Sequence, residues 1–180
     1  MKISIVYNSK TGFTKKYAEW IAEELGCAAL PYKGFDIESA GEDDLLVFCG
    51  RIAAGKIENL NNVKKLLAGR ENLSLIVAAV GATNPGASET INKMWAGNLS
   101  EAELETIPHF FLPGGIAYEK LGFGDKSLLK MVAKMLKNKK DKTEEEAEFE
   151  KILGGSFDNT AKEYIRPLVE YVRERTKGQE

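Results

Sequence analysis

The stretch of this chain best suited to chemistry is a hydroxyl-rich turn of six residues, Ser9, Lys10, Thr11, Gly12, Phe13 and Thr14. A short apolar run precedes it and an amphipathic run follows it. A turn between a strand and a helix presents backbone N–H groups and the positive end of the helix dipole to an anion. Gly12 lets the backbone come close, and three hydroxyls can donate to phosphate oxygens. The pattern predicts a phosphate site, whereas an ordinary turn capped by Thr14 would explain one hydroxyl and not three.

These residues carry a family resemblance. The pattern Ser/Thr-x-Thr-Gly-x-Thr after a first strand resembles the FMN phosphate loop of flavodoxins, and Ser9, Thr11, Gly12 and Thr14 match it in full. The resemblance implies a flavodoxin-like fold with FMN as the cofactor. A flavodoxin-like binding module without flavin, which uses the anion site for another phosphate ligand or a protein partner, fits the same residues.

Apolar runs alternate with helical patterns along the chain, which predicts an α/β fold with a parallel sheet and helices on both faces. The expected arrangement is a three-layer, doubly wound, five-stranded sheet in the order 2-1-3-4-5, and the ligand then lies beyond the carboxyl ends of strands one, three and four. The predicted strands are Lys2 to Tyr7, Cys27 to Tyr32, Leu45 to Cys49, Leu73 to Val80 and His109 to Leu112. The predicted helices are Phe13 to Leu25, Asn61 to Ala68, Ser88 to Trp95, Ser100 to Leu104, Lys126 to Lys142, an acidic run from Glu144 to Glu150, and a last helix from Asp158 or Asn159 to Arg175 that Pro167 kinks or divides.

Loops after the third and fourth strands are the candidates for holding a flavin ring through backbone groups. They read Gly50, Arg51, Ile52, Ala53, Ala54 and Gly55, and Gly81, Ala82, Thr83 and Asn84. In flavodoxins a glycine peptide of the third-strand loop turns over on reduction, and Gly50 and Gly55 are both candidates. Arg51 either places positive charge near the ring or forms a surface salt bridge.

Electron-carrying flavodoxins usually place an aromatic residue of the third-strand loop on the ring, and here that loop carries Ile52 and alanines. Tyr118 is the candidate to stack from another side. Absence of the aromatic residue has two explanations. Either one face of the ring is left open for direct contact with an organic substrate or quinone, or another side chain covers that face. A carrier between redox proteins and an oxidoreductase therefore both remain open, and no catalytic residue is evident.

The segment from Leu112 to Tyr118 and the lysine-rich helix after it resemble the flavodoxin-domain subgroup that includes menaquinone-dependent protoporphyrinogen oxidase. The resemblance implies two-electron oxidation of an organic substrate, with electrons passed to quinone. We expect a single domain over residues 1–180, with a helical insertion at 119–155. The segment from Lys126 to Lys142 has the pattern of an amphipathic helix with lysines on its polar face. This pattern predicts either weak contact with an anionic membrane or partner, or a core-packed helix with a solvated basic face. The apolar face consists of Leu128, Leu129, Val132, Met135 and Leu136.

Composition and motif spacing argue against several classes of function. A net charge of −2 gives no general case for nucleic-acid binding. Gly50 to Ile57 has the spacing of a nucleotide P-loop but ends in Ile57 where Ser or Thr must ligate magnesium. A single histidine, His109, argues against a Ser-His-Asp or multi-histidine metal site, so no metal is expected. Two cysteines make no disulfide framework, and together with the lack of a secretory leader or spanning run they favour the cytoplasm.

Overall fold

The architecture was analysed in a computed structural model that describes residues 2–36, 44–70 and 73–177. Five parallel strands form the sheet: β1 (Ile3–Asn8), β2 (Ala29–Pro31), β3 (Leu45–Ala53), β5 (Ser74–Gly81) and β6 (His109–Pro113), with β4 (Lys56–Ile57) antiparallel to β3. Their order is β2-β1-β3-β5-β6. The predicted doubly wound topology is therefore confirmed, since the fourth and fifth predicted strands are β5 and β6.

Seven helices flank or cover this sheet in the described part of the chain. They are α1 (Phe13–Leu25), α2 (Leu60–Leu67), α3 (Ser88–Ala96), α4 (Glu101–Thr106), α5 (Phe123–Asn138), α6 (Glu144–Ile152) and α7 (Arg166–Lys177), with 3-10 turns at Tyr118–Lys120 and Lys162–Ile165. A small second sheet joins β7 (Gly115–Ile116) to β8 (Phe157–Asp158), and the sequence did not predict it. None of the described helices is long and apolar enough to cross a membrane.

Two hydrophobic cores lie on opposite faces of the sheet because successive side chains of a strand point to opposite sides. On β3, Leu45, Val47 and Cys49 pack toward α1 and α7, whereas Leu46 and Phe48 pack toward α2 and α3. All five are at most 2% exposed, as expected of an inner strand covered on both faces. These two cores fix the strand ends from which the candidate site is built.

Tyr17 joins α1 to the segment before α7. Its buried hydroxyl donates to the carbonyl oxygen of Pro113 (2.6 Å) and accepts from the N–H of Ala161 (3.3 Å). Burial raises the pKa of this hydroxyl to about 12, so it stays a donor throughout the neutral range. The last helix differs from prediction: Asp158 lies in β8, and Pro167 is the second residue of α7, where a missing N–H costs no helical hydrogen bond.

Candidate cofactor-binding site

The first turn leaves the amino end of α1 open to an anion. The N–H of Lys16 is bonded to the carbonyl of Gly12 (2.9 Å), and no side chain caps the helix, so the N–H groups of Phe13, Thr14 and Lys15 keep no partner within the helix. Gly12 has a φ of 104°, which favours glycine at this position. Donors and helix dipole together make this end of α1 suitable for a phosphate group.

Hydroxyls of the turn divide into two kinds. Thr11 and Thr14 line a cavity of about 510 Å³ at the carboxyl ends of the strands, and Thr14 is only 2% exposed. The Ser9 hydroxyl accepts from the N–H of Gly12 (3.2 Å), a bond that shapes the turn. Phe13 also lines the cavity, whereas Ser9, Lys10 and Gly12 do not.

The third-strand loop was predicted in the wrong place. β3 does not end at Cys49 but continues through Ala53, and a two-residue turn at Ala54 and Gly55 returns the chain as β4. Both turn residues have positive φ (49° and 74°), as short hairpin turns require. The resulting hairpin extends beyond the neighbouring strand tips and contributes Arg51, Ile52, Ala53, Ala54 and Gly55 to the cavity wall.

Gly50 is therefore a strand residue, paired with Asn8 and Ala79, and does not line the cavity. A side chain here would overlap with Cγ2 of Ile57 on the returning strand β4. Glycine at this position serves the close packing of the hairpin, and of the two glycines that the sequence analysis kept open, only Gly55 lies at the cavity.

The loop after β5 supplies the second wall through Gly81, Ala82 and Thr83. Asn84 turns away, and its side-chain oxygen accepts from the N–H of Gly86 (2.9 Å). Tyr118 does not line the cavity either: its ring lies 5.3 Å from the Lys126 ammonium. The structure thus brings ten of the sixteen predicted site residues to this end of the sheet as cavity lining, namely Thr11, Phe13, Thr14, Arg51, Ile52, Ala53, Ala54, Gly81, Ala82 and Thr83. Gly55, the alternative to Gly50 and not one of the sixteen, lines the cavity as well.

An apolar roof, which the sequence analysis did not foresee, closes the outer side of the cavity. It consists of Leu121, Leu128, Leu129, Val132 and Phe149, contributed by α5, α6 and the turn before α5. All of these side chains except Leu128 belong to a third cluster that packs α5 and α6 onto Ile116 of β7.

Four charged residues at the cavity rim form one network, defined here as the rim network: Lys10, Arg51, Glu58 and Asp125. The Arg51 guanidinium donates to both carboxylate oxygens of Asp125 (2.6 and 3.2 Å), and their side chains are only 13% and 17% exposed. Lys10 lies 3.5 Å from both Asp125 and Glu58. Hydrogen bonds from Arg51, with its charge and that of Lys10, hold the pKa of the Asp125 carboxyl below its usual value.

The network changes the role expected for Arg51. Its guanidinium lines the cavity, but Asp125 at the start of α5 balances its charge. It is neither an isolated cation facing the ring site nor a solvent-exposed surface pair. Through Asp125 and Lys10, Arg51 links β3 to α5 and to the turn from Ser9 to Thr14.

Other candidate groups have structural roles. Cys49 is fully buried and burial raises its pKa to about 12, so it is an uncharged thiol packed in the core. Cys27 and Cys49 are both free. His109 packs its ring against Trp95 (centroids 4.6 Å apart), and over the described ranges no three His, Cys, Asp or Glu side chains are grouped to hold a metal ion.

Sequence reasoning missed the residues that complete the cavity from outside the expected loops. These are Thr90, Lys93 and Met94 of α3, Ile116 and Ala117 after β6, Asp125, and the roof. The amphipathic pattern of α5 was the available signal for the roof, since an apolar helical face must cover something.

Comparison with known proteins finds two solved structures and one family model that are similar to this chain. A flavodoxin from the domain Archaea aligns over 72% of this chain and 90% of its own, at 14% identity and a TM-score of 0.39. The Trp repressor binding protein from Bacillus subtilis aligns over 78% of this chain and 100% of its own, at 13% identity and a TM-score of 0.41. No curated protein matches the chain. The family model described as a flavodoxin domain matches residues 4–143, and the chain therefore belongs to the flavodoxin domain family.

Proposed function

We propose that this protein binds FMN in the cavity at the carboxyl ends of β1, β3 and β5 and functions as a redox protein. The observation that carries the proposal is continuity: the uncapped end of α1 and the two loops that could hold a ring border one cavity of about 510 Å³. That volume is within the range of cofactor sites, and its walls combine apolar side chains with backbone polar groups.

The phosphate group would accept from the free N–H groups of Phe13, Thr14 and Lys15 and from the hydroxyls of Thr11 and Thr14. Ser9, Lys10 and Gly12 would shape that turn from behind. The ring would lie between the β3–β4 hairpin and Gly81 to Thr83, where backbone groups can pair with its polar edge. Gly55, which lines the cavity, would be the glycine that changes its peptide orientation there.

FMN supplies reversible electron and hydride transfer when it is bound. The residues of this chain would orient it and exclude water, chiefly through the roof of Leu121, Leu128, Leu129, Val132 and Phe149. Because the roof covers one side of the cavity with apolar side chains, we favour an oxidoreductase that acts on a small organic substrate or quinone over a carrier between proteins. A protoporphyrinogen-oxidase-like role rests on the sequence resemblance alone, and a cytoplasmic location on the two free thiols.

Absorbance of the purified protein and titration with FMN test the cofactor. We expect a yellow protein that quenches flavin fluorescence. Thr11→Val and Thr14→Val should each weaken FMN about tenfold or more, because each removes a hydroxyl that donates to a charged phosphate. Thr106→Val is the matched control, since its hydroxyl bonds to the Ala102 carbonyl on α4.

A colourless protein that ignores FMN would refute the proposal and favour a module without flavin. Unchanged affinity in both cavity variants would show that the phosphate lies elsewhere. The redox role needs a second assay, in which the reduced protein is mixed with quinones or with a ferredoxin-type partner under anaerobic conditions. Faster oxidation by the ferredoxin-type partner would support the carrier instead.

A further inference from the structure

The outer face of α5 exposes large apolar side chains. Phe123 is 91% exposed, Met131 62% and Met135 61%, whereas the other large apolar side chains of the described residues are at most 44% exposed. Met131 and Met135 are neighbours one turn apart, and Phe123 lies about two turns before Met131 on the same outward half of the helix. Met135 was predicted on the inner face with the leucines, and that assignment is wrong.

A row of lysines runs beside these apolar side chains. Lys130, Lys134 and Lys137 are exposed, and among the described residues no carboxylate pairs with them. Lysines at the end of the helix differ, since Lys139 and Lys142 pair with Glu146 and Glu150 at 2.6 Å. The outer face of α5 therefore presents unpaired positive charge and exposed apolar area together.

Carboxylates near this face are mostly engaged elsewhere. Asp125 faces inward to Arg51, and Glu145 accepts from the Thr90 hydroxyl (3.2 Å). Asp141 after α5 and Glu144 and Glu148 of α6 are exposed and carry the remaining opposing charge. The lysine row thus keeps an excess of positive charge along α5.

We propose that α5 docks lengthwise on an anionic lipid surface. Phe123, Met131 and Met135 would enter the boundary between headgroups and acyl chains, while the lysine row would contact lipid phosphates; this is the composition of an interfacial helix. The apolar side chains and the lysines both lie on the outward half of one helix about 24 Å long, so one surface can meet them together. An acidic protein would have to provide a complementary apolar groove for the same apolar side chains.

Docking through α5 would bring a membrane close to the cavity. Its inner face forms part of the roof, so a bound membrane would lie about one helix diameter from the cavity. Delivery of a lipid-soluble substrate by this route rests on the proposed function. Membrane binding itself does not, because none of the docking residues belongs to the phosphate turn.

Vesicle flotation tests the proposal with the full-length protein, both without FMN and saturated with it. Phosphatidylcholine vesicles that contain phosphatidylglycerol should bind the protein, and pure phosphatidylcholine vesicles should not. K130Q/K134Q should weaken binding about 25-fold, since two lysines near an anionic surface act roughly independently. F123S/M131S should weaken it about tenfold by removing apolar area.

K65Q/K177Q is the matched control, because it removes the same charge from exposed positions at the ends of α2 and α7 and should change binding little. The proposal would be overturned if K130Q/K134Q and K65Q/K177Q lost the same amount of vesicle binding. Equal binding of the protein to both vesicle types would also overturn it. Absence of binding would overturn it in favour of an acidic protein partner or a solvated face. Binding with no FMN uptake would refute the proposed function and leave the docking intact.

Discussion

The contribution of the rim network to stability can be measured with a double-mutant cycle on Arg51 and Asp125. Two hydrogen bonds join the charged groups, and both side chains are less than one-fifth exposed. Hydrogen bonds to charged groups contribute about 1.5–3 kcal/mol, and the open rim favours the lower end of that range. We therefore expect a coupling energy of about 1.5 kcal/mol between Arg51→Met and Asp125→Asn in the protein without FMN.

Urea unfolding is the suitable assay because urea, unlike guanidinium, does not screen charges. With a slope of about 2 kcal/mol per M, the expected coupling corresponds to a shift of about 0.7 M in the unfolding midpoint. The control cycle uses Lys93 and Glu89, an ion pair of α3 whose side chains are each 76% exposed. Water screens that pair, so its coupling should be much smaller.

The coupling should depend on pH in one direction. Hydrogen bonds from Arg51 lower the pKa of Asp125 in the folded protein, so the folded state binds this proton less tightly than the unfolded state. The stabilisation is therefore complete above the ordinary pKa of 3.8 and is lost as the pH falls through the lowered value. Equal coupling at neutral pH and at about pH 5.5 is expected. Coupling no larger than in the control cycle, or coupling that grows in acid, would refute the reasoning.

Two further substitutions test how the fold positions the cavity. Gly50→Ala should lower the free energy of unfolding by about 1–3 kcal/mol, because the added methyl group overlaps with Ile57; Gly122→Ala, where the space is open, is the control, and equal stability of the two variants would contradict the packing argument. Tyr17→Phe should cost about 1–3 kcal/mol by leaving the Pro113 carbonyl and the Ala161 N–H without their partner. Tyr171→Phe, whose hydroxyl is exposed, should change little, and urea unfolding compares the two tyrosine variants.

Local patterns predicted the parts of the site that local sequence determines. The phosphate turn follows from residues within one six-residue stretch, and the strand order follows from the alternation of apolar runs with helices. Thr143 and Glu146 likewise form a capping box, of which their three-residue spacing is typical, with the Thr143 hydroxyl accepting from the Glu146 N–H (3.2 Å). The single-domain organisation and the description of 119–155 as an insertion stay predictions.

Contacts between distant residues could not be predicted in this way. Gly50 resembled a strand end, but its missing side chain serves a neighbour on the returning strand. The α5 pattern contains two adjoining apolar rows, and periodicity alone does not decide which of them faces inward, so Met135 was assigned to the wrong side. The partner of Arg51 is 74 residues away, which no spacing rule connects.

The rim network and the roof together determine the environment that this fold offers a cofactor. An unbalanced Arg51 would favour a negatively charged ring, because an opposite charge at short range favours the ionised form. Asp125 offsets the charge of Arg51. The roof residues Leu128, Leu129 and Val132 place apolar side chains, and not water, on that side of the cavity. The uncapped amino end of α1 keeps its positive helix dipole, which favours an anion there. A flavin ring held beside Arg51 would therefore meet a balanced charge and apolar side chains, which supports our proposal of an uncharged organic substrate over an acidic carrier protein.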